Sequence, residues 1–451
     1  MTRTRLLPAA AALVAPVACA ALAALPTCAV AATGFHGPSI GPVPIEFMIF
    51  AAVLLCVALF HHHTLAIAVS GAVLISLYKI VFSPFVQGPG LRGFVHHLGH
   101  EWVIFSNLLL LLLGFALLAK LFEESEVPAV LPAVLPNNWI GCFVLLVLVF
   151  VISSFLDNIA AAMIGGAMAH TLFRGKVHIG FLAAIVAASN AGGSGSVVGD
   201  TTTTMMWIAG VHPAAVLEAY VAAVLALVIF GVPAAFQQQR YSPIAKETEP
   251  GTHIDWVRVA IVAFILGLAI VTNIVINTRL KAWSDSFPFL GAAVWVALLL
   301  GALVRRMDWS LLPGAARGSA FLLSLVLCAS MMPVERLPDA SWQSALGLGF
   351  VSAVFDNIPL TALALKQGGY DWGFVAFAVG FGGSMLWFGS SAGVALSSMY
   401  PEAKNAVAWL RHGWPVVLAY VLSFVVMLMV LDFHADAPLH VQEPAPVVAP
   451  Q

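Results

Sequence analysis

The chain has 451 residues, of which 61% are hydrophobic and 9% charged, where a soluble globular domain carries roughly 25% charged residues. That much apolar surface excludes a water-soluble fold and makes the bilayer the solvent for most of the chain. A net charge of −2 excludes a basic surface for nucleic acid. The apolar runs are about 17–25 residues long and lack the alternation of barrel strands, so the expected fold class is an all-α polytopic membrane protein.

Residues 1–31 read as a signal peptide. Arg3 and Arg5 form the charged start, Ala9 to Leu25 the apolar stretch, and Ala29-Val30-Ala31 a small-residue cleavage site. An uncleaved first helix is the other reading. An N-terminal transmembrane repeat is expected over 44–236, with apolar segments at 44–60, 64–84, 103–120, 139–156, 159–173, 178–211 and 213–236. A cytoplasmic linker rich in Gln, Glu, Lys and Pro follows from Gln237 to Asp255. The C-terminal transmembrane repeat, 256–432, has segments at 256–277, 285–304, 315–333, 342–355, 358–367, 371–400 and 412–432. The Pro-rich tail, 433–451, is expected to be disordered. No cysteines stand in CxxC spacing. Cys56, Cys142 and Cys328 lie in apolar segments as small hydrophobes, so neither a metal centre nor a disulfide is expected.

Two motifs recur in the same order. Ser153-Ser154-Phe155-Leu156-Asp157-Asn158-Ile159 matches Ser352-Ala353-Val354-Phe355-Asp356-Asn357-Ile358, 199 positions on (356 − 157). Gly192-Gly193-Ser194 with Gly199-Asp200-Thr201 matches Gly382-Gly383-Ser384 with Gly389-Ser390-Ser391, 190 positions on (382 − 192). The short apolar arms around each Asp-Asn pair predict a re-entrant hairpin with the pair at its tip. Segments 178–211 and 371–400 are too long and Gly-rich for continuous helices, and read as broken helices unwound at Gly-Gly-Ser. With the mature N-terminus outside, eleven Lys and Arg residues fall inside (Lys120, Arg174, Lys176, Arg240, Lys246, Arg258, Arg305, Arg306, Arg317, Lys404 and Arg411) and six outside (Lys79, Arg92, Arg279, Lys281, Arg336 and Lys366). That is the direction of the positive-inside rule, and it gives the two repeats inverted topology.

Asp157, Asp200 and Asp356 lie in otherwise uncharged stretches. A charge at the bilayer centre costs at least about 2.5–3.5 kcal/mol, so an intramembrane acid points to function. The competing reading is a helix cap, which a functional acid can also be. Lys366 is the nearest cation in sequence to Asp356 and is expected to snorkel at the outer foot of its hairpin. Acids without a cationic partner are neutralised by protons or bound cations, and a hard cation wants oxygen ligands. Asn158, Asn190, Ser194, Thr201, Thr202, Asn357, Ser384, Ser390 and Ser391 supply them. The expected chemistry is exchange of Na+ or Li+ for protons, with no cofactor. His61-His62-His63 reads as a solvated turn, His170 and His178 as interfacial histidines, Met205, Met206 and Trp207 as core, and Asn273 with Asn277 as an interhelical hydrogen-bond pair.

On these residues the chain resembles the ion transporter superfamily and, within it, the NhaD-type sodium/proton antiporters. The resemblance rests on Ser189-Asn190-Ala191-Gly192-Gly193, Gly199 to Trp207, Phe355 to Leu360, Gly382 to Met385 and Gly389 to Val394. It implies inverted repeats, hairpins, broken helices, a homodimer, elevator-type alternating access and a multi-pass place in the bacterial inner membrane. The chain departs from that pattern after Gly193, where Ser194-Gly195-Ser196-Val197-Val198 replaces a stretch carrying Trp and Pro. The alternative function is sodium-coupled transport of a citrate-like carboxylate, held at half-helix N-termini. An intramembrane enzyme would need a Ser/His dyad or metal cluster at depth, so no enzyme is expected.

Overall fold

The computed structural model describes residues 37–436 apart from 41–42, 61–62, 86–87, 131–134, 245–252, 281–282 and 284–285. The expected signal peptide, His61 and His62, much of the linker, Lys281 and residues 437–451 lie outside the described residues.

A two-stranded hairpin (β1 Ser39–Ile40, β2 Val43–Pro44) precedes a helical bundle. In chain order the helices are α1 Ile45–Leu59, α2 Thr64–Phe82, α3 Gly90–Glu123, α4 Val127–Val130, α5 Trp139–Ser153, α6 Asn158–Leu172, α7 Ile179–Ser194, α8 Thr201–Ile208, α9 Pro213–Leu217, α10 Ala219–Tyr241, α11 Trp256–Arg279 and α12 Phe289–Ala302. They continue as α13 Leu312–Ser330, α14 Trp342–Ser352, α15 Asn357–Gln367, α16 Trp372–Gly382, α17 Ser391–Met399 and α18 Ala406–Leu431. By length and composition, α2, α3, the α9–α10 run, α11, α13 with the 3-10 turn before it, and α18 can each cross a bilayer. The protein is a multi-pass, all-α membrane protein whose only described strands are the short β1–β2 pair.

Helix bounds follow the apolar segments closely, with two instructive differences. α3 begins at Gly90, thirteen residues before the apolar run, and measures about 51 Å at 1.5 Å per residue. Its polar first turns, with exposed Leu91 and Val95, continue the helix past the apolar zone. α10 runs on to Tyr241 because Gln238 is buried: its Oε1 accepts from His178 N (2.8 Å) and its Nε2 donates to Lys176 O (3.1 Å).

Corresponding elements make corresponding contacts. Ser153 Oγ donates to Ser189 O (2.6 Å), and Ser352 Oγ to Val379 O (2.7 Å), at the same two offsets that relate the motifs. α2 packs on α13 and α3 on α12; α6 packs on α17 and α8 on α15. Each half thus completes the other. α7 and α16 lie at the centre, and nearly every residue in them is buried, as a helix apolar all round requires.

Lys366 does not snorkel. Its Nζ donates to Ser330 O (2.7 Å) and Met332 O, while Lys79 Nζ donates to Met331 O (3.0 Å). Two ammonium groups therefore hold three successive carbonyls at the C-terminal, negative end of α13. Lys366→Met removes donors from buried carbonyls, at about 1–3 kcal/mol. A lower melting temperature in detergent is expected, and an unchanged one would show the clamp to be idle.

At the opposite end, Asp255 caps α11 and accepts from Arg305 Nε (2.9 Å) and Arg258 Nη1 (3.1 Å), and Arg258 reaches Glu124 (3.0 Å). The Arg305 hydrogen bonds hold the Asp255 carboxyl down at about 2. Such a depressed carboxyl contributes fully above the ordinary carboxylate range and is lost only as pH falls through about 2, so this junction is constant at neutral pH.

Candidate functional site

Four breaks in regular structure converge at the bundle centre. Two are the turns after α5 and α14; the others are the interruptions of α7–α8 at 195–200 and of α16–α17 at 383–390. α5 and α6 fold back on each other: Val149 and Gly165, eight residues either side of Asp157, touch across the pair. Asp157 and Asp356 open α6 and α15 as N-caps with the same backbone angles (φ −52, ψ 141), each accepting from the backbone N–H two residues on. Asp200 and Ser390 likewise cap α8 and α17. Small residues make the breaks possible. Gly192 and Gly382 lie where a Cβ would stand 2.0 Å from Phe150 O and 2.3 Å from Gly349 O.

Asp200, 2% exposed, sits at the point of convergence. Its Oδ1 accepts from Asn158 Nδ2 (3.3 Å) and Thr202 N (3.4 Å). Its Oδ2 accepts from Asn357 Nδ2 (3.3 Å) and Thr202 Oγ1 (2.8 Å). Both Asp-Asn tips thus reach one carboxylate. Asn158 Nδ2 also donates to Asn190 Oδ1 (3.0 Å), and Asn190 Nδ2 donates to Ser384 Oγ (2.9 Å) and Ser390 Oγ (3.1 Å). Every side chain in this network is buried. The ion pairs seen among the described residues, Lys120–Glu123, Arg258–Glu124, Arg258–Asp255 and Arg305–Asp255, involve none of the three acids.

The expected site residues therefore divide. Asn158, Asn190, Asp200, Thr202, Asn357, Ser384 and Ser390 form one hydrogen-bonded network. Asp356 stands beside it, accepting from Ser391 Oγ (2.7 Å). Asp157 caps its helix at the same level, Thr201 opens α8, and Ser194 Oγ turns back to Ala191 O (2.8 Å). Capping and the buried network coexist in Asp200.

Sequence reasoning passed over the groups that hold the breaks in shape. Ser153 and Ser352 fasten α5 to α7 and α14 to α16, and Thr203 and Thr204 brace the first break by donating to Ser196 O (2.5 Å) and Val197 O (3.0 Å). It also passed over Gly380, which the 190-position offset pairs with Asn190. The repeat matches Ser153 with Ser352 and Asn190 with Gly380, but a match of residue types does not say which carbonyl a serine holds; the two threonines have Gly393 and Val394 as counterparts. His178 is a helix cap, its Nδ1 accepting from Gly180 N (3.1 Å), with its ring edge-on to His412. Met205, Met206 and Trp207 are core, as expected. Asn273 is buried, and the side chain of Asn277 is not among those described.

No protein-family model matches the chain. Among curated proteins it is similar to Sodium/proton antiporter 1 of Arabidopsis thaliana, 27% identical over 344 residues, which is 68% of this chain and 57% of that protein. The chain thus spans little more than half the length of that relative. It is also similar to the Na+/H+ antiporter NhaD of Vibrio parahaemolyticus, 26% identical over 71% of this chain and 89% of the relative. The NhaD of Alkalimonas amylolytica is 28% identical over 73% of this chain and 78% of its own length. These relatives are named as transporters and not as enzymes. The chain is thus similar in sequence to sodium/proton antiporters, several of them named NhaD.

Proposed function

We propose that this protein exchanges Na+ or Li+ for protons across the bacterial inner membrane, at Asp200. The observation that carries the reading is one buried carboxylate whose acceptor positions are filled by amide and hydroxyl donors from both halves of the chain. A carboxylate is an acceptor only; once protonated, one oxygen becomes a donor. A proton on Asp200 must therefore displace Asn158, Asn357 or Thr202. A cation arriving on either oxygen must do the same, and the displaced amides can turn their oxygens towards it. Proton and cation compete for one group, and an arrival that displaces Asn357 loosens the tie between the halves. That is the coupling an exchanger needs, and the names of the relatives support it.

A carboxylate substrate fits less well. The N-termini of α8 and α17, where an anion would dock, are already capped by Asp200 and Ser390. The reading includes inverted repeats, re-entrant hairpins around Asp157 and Asp356, and a homodimer, with no cofactor. Lys79 and Lys366 meet at one end of the bundle, and Arg258 and Arg305 at the other, in keeping with the positive-inside count. Single cysteines placed beside Arg305 should accordingly label from the cytoplasm and beside Asp432 from the periplasm; a cytoplasmic signal at Asp432 refutes the topology. The function is tested by dissipation of ΔpH in everted vesicles on adding Na+, Li+ or citrate. A response to either cation is expected, and a response to citrate alone overturns the reading.

A further inference from the structure

We propose that Gly380 sets the size of the cation site at Asp200 and thereby the choice among monovalent cations; the proposal rests on the exchange reading above. The offset relating the two broken helices pairs Asn190 with Gly380, Ser194 with Ser384 and Asp200 with Ser390. Around Asn190 the correspondence is filled: its amide donates to both Ser384 and Ser390, giving a neutral, satisfied cluster. Around Gly380 the side chain is missing and the facing residue is charged. A Cβ built on Gly380 would stand 3.2 Å from Ser194 Cβ and 3.4 Å from Asp200 Oδ2, the nearest atoms to that point.

The two clusters are chemical opposites at equivalent places. One has an amide facing two hydroxyls; the other has bare backbone facing a hydroxyl-bearing residue and a carboxylate. Glycine forms helix less readily than alanine, so its presence at Gly380, two residues before the end of α16, needs a reason. Helix packing alone supplies a partial one, since a methyl there would press on Ser194. The same methyl would stand in van der Waals contact with the Oδ2 of Asp200, the oxygen that faces α16. The backbone of Gly380 and the side chain of Ser194 form a close wall beside the proposed ligand, and that wall bounds how large an ion the oxygen can hold.

Gly380→Ala narrows the site from one wall. The half-maximal Na+ concentration for ΔpH dissipation is expected to rise about tenfold, within the range for one overpacked methyl, while that for the smaller Li+ changes much less. Ser194→Gly widens the site from the facing wall without overpacking, and its Na+/Li+ ratio is expected to move the other way. Gly380→Asn reproduces the Asn190 amide against Asp200 and is expected to remove the response to both ions. A purely structural role for Gly380 would lower the rate with both ions and leave their ratio alone. If the wild type responds to Na+ or Li+ but neither Gly380→Ala nor Ser194→Gly shifts the ratio, the proposal is overturned and the exchange reading survives. If the wild type responds to neither ion, the exchange reading itself fails.

Discussion

Asp200→Asn is expected to abolish proton-coupled cation exchange while the protein still inserts in the membrane. Asparagine caps a helix about as well as aspartate, so the start of α8 is kept. What changes is the bonding. Asp200 accepts from Asn158, Asn357 and Thr202 at once, and an asparagine would present an amide donor to one side of that array. Thr202 can turn its hydroxyl to accept. Asn158 cannot turn its amide without losing its bond to Asn190 Oδ1. The mismatch costs about 1–3 kcal/mol, too little to unfold a bundle this size but enough to free one hairpin tip. The larger loss is the charge, without which neither proton nor cation binds. Asp157→Asn makes the matching test at a hairpin: the cap on Ile159 N is retained and only the charge is removed. Both variants should leave ΔpH undisturbed by Na+ or Li+, with expression and size-exclusion profiles like wild type. Exchange at the wild-type rate in both would reduce the acids to caps and remove the mechanism.

Much of this arrangement could be read from the chain because the bilayer simplifies the code. Apolar length decides where helices lie, and Gly-Gly-Ser or Asp-Asn inside an apolar run has few other meanings. Segments 178–211 and 371–400 are expected to break at Gly-Gly-Ser; the second does so at 383–390, while the first stays helical through Ser194 and breaks just after it, at 195–200. The gathering of Asn158, Asn190, Asp200, Asn357, Ser384 and Ser390 follows from buried polar groups having nowhere to bond but to each other. Lys366 was misread because a lysine near a helix end has two outlets, water and the carbonyls of a neighbouring helix terminus, and its own sequence does not say which helix ends beside it. Ser194 stands outside the hydrogen-bonded network, and by donating to Ala191 O its hydroxyl keeps its oxygen lone pairs free. Gly380 carries no polar atom in its side chain, so it can be noticed only by asking what its counterpart does.

Gly192→Ala and Gly382→Ala are expected to leave little folded protein. A Cβ on Gly192 would lie 2.0 Å from Phe150 O and 2.8 Å from Phe150 C; on Gly382 it would lie 2.3 Å from Gly349 O and 2.7 Å from Gly349 Cα. Phe150 and Gly349 occupy equivalent places on α5 and α14, so both halves use the same backbone-to-backbone approach to dock these helices on a broken helix. Ordinary overpacking costs about 1–3 kcal/mol because side chains can shift. Here the obstructing atoms are main chain, and moving them would carry Ser153 or Ser352 away from the carbonyl it holds. The cost should exceed that range and fall on the elements that assemble the site. Gly347 supplies the contrast. It lies on the same helix as Gly349, two residues away, with nothing within 4 Å of where its Cβ would be. Gly347→Ala should be tolerated, or stabilise by about 0.4–1 kcal/mol through a less flexible unfolded chain. Fluorescence-detected size exclusion and melting in detergent would separate the three variants. Wild-type yield and melting temperature for Gly192→Ala would mean that α5 and α7 do not approach so closely, and the docking of Asn158 on Asp200 would lose its support.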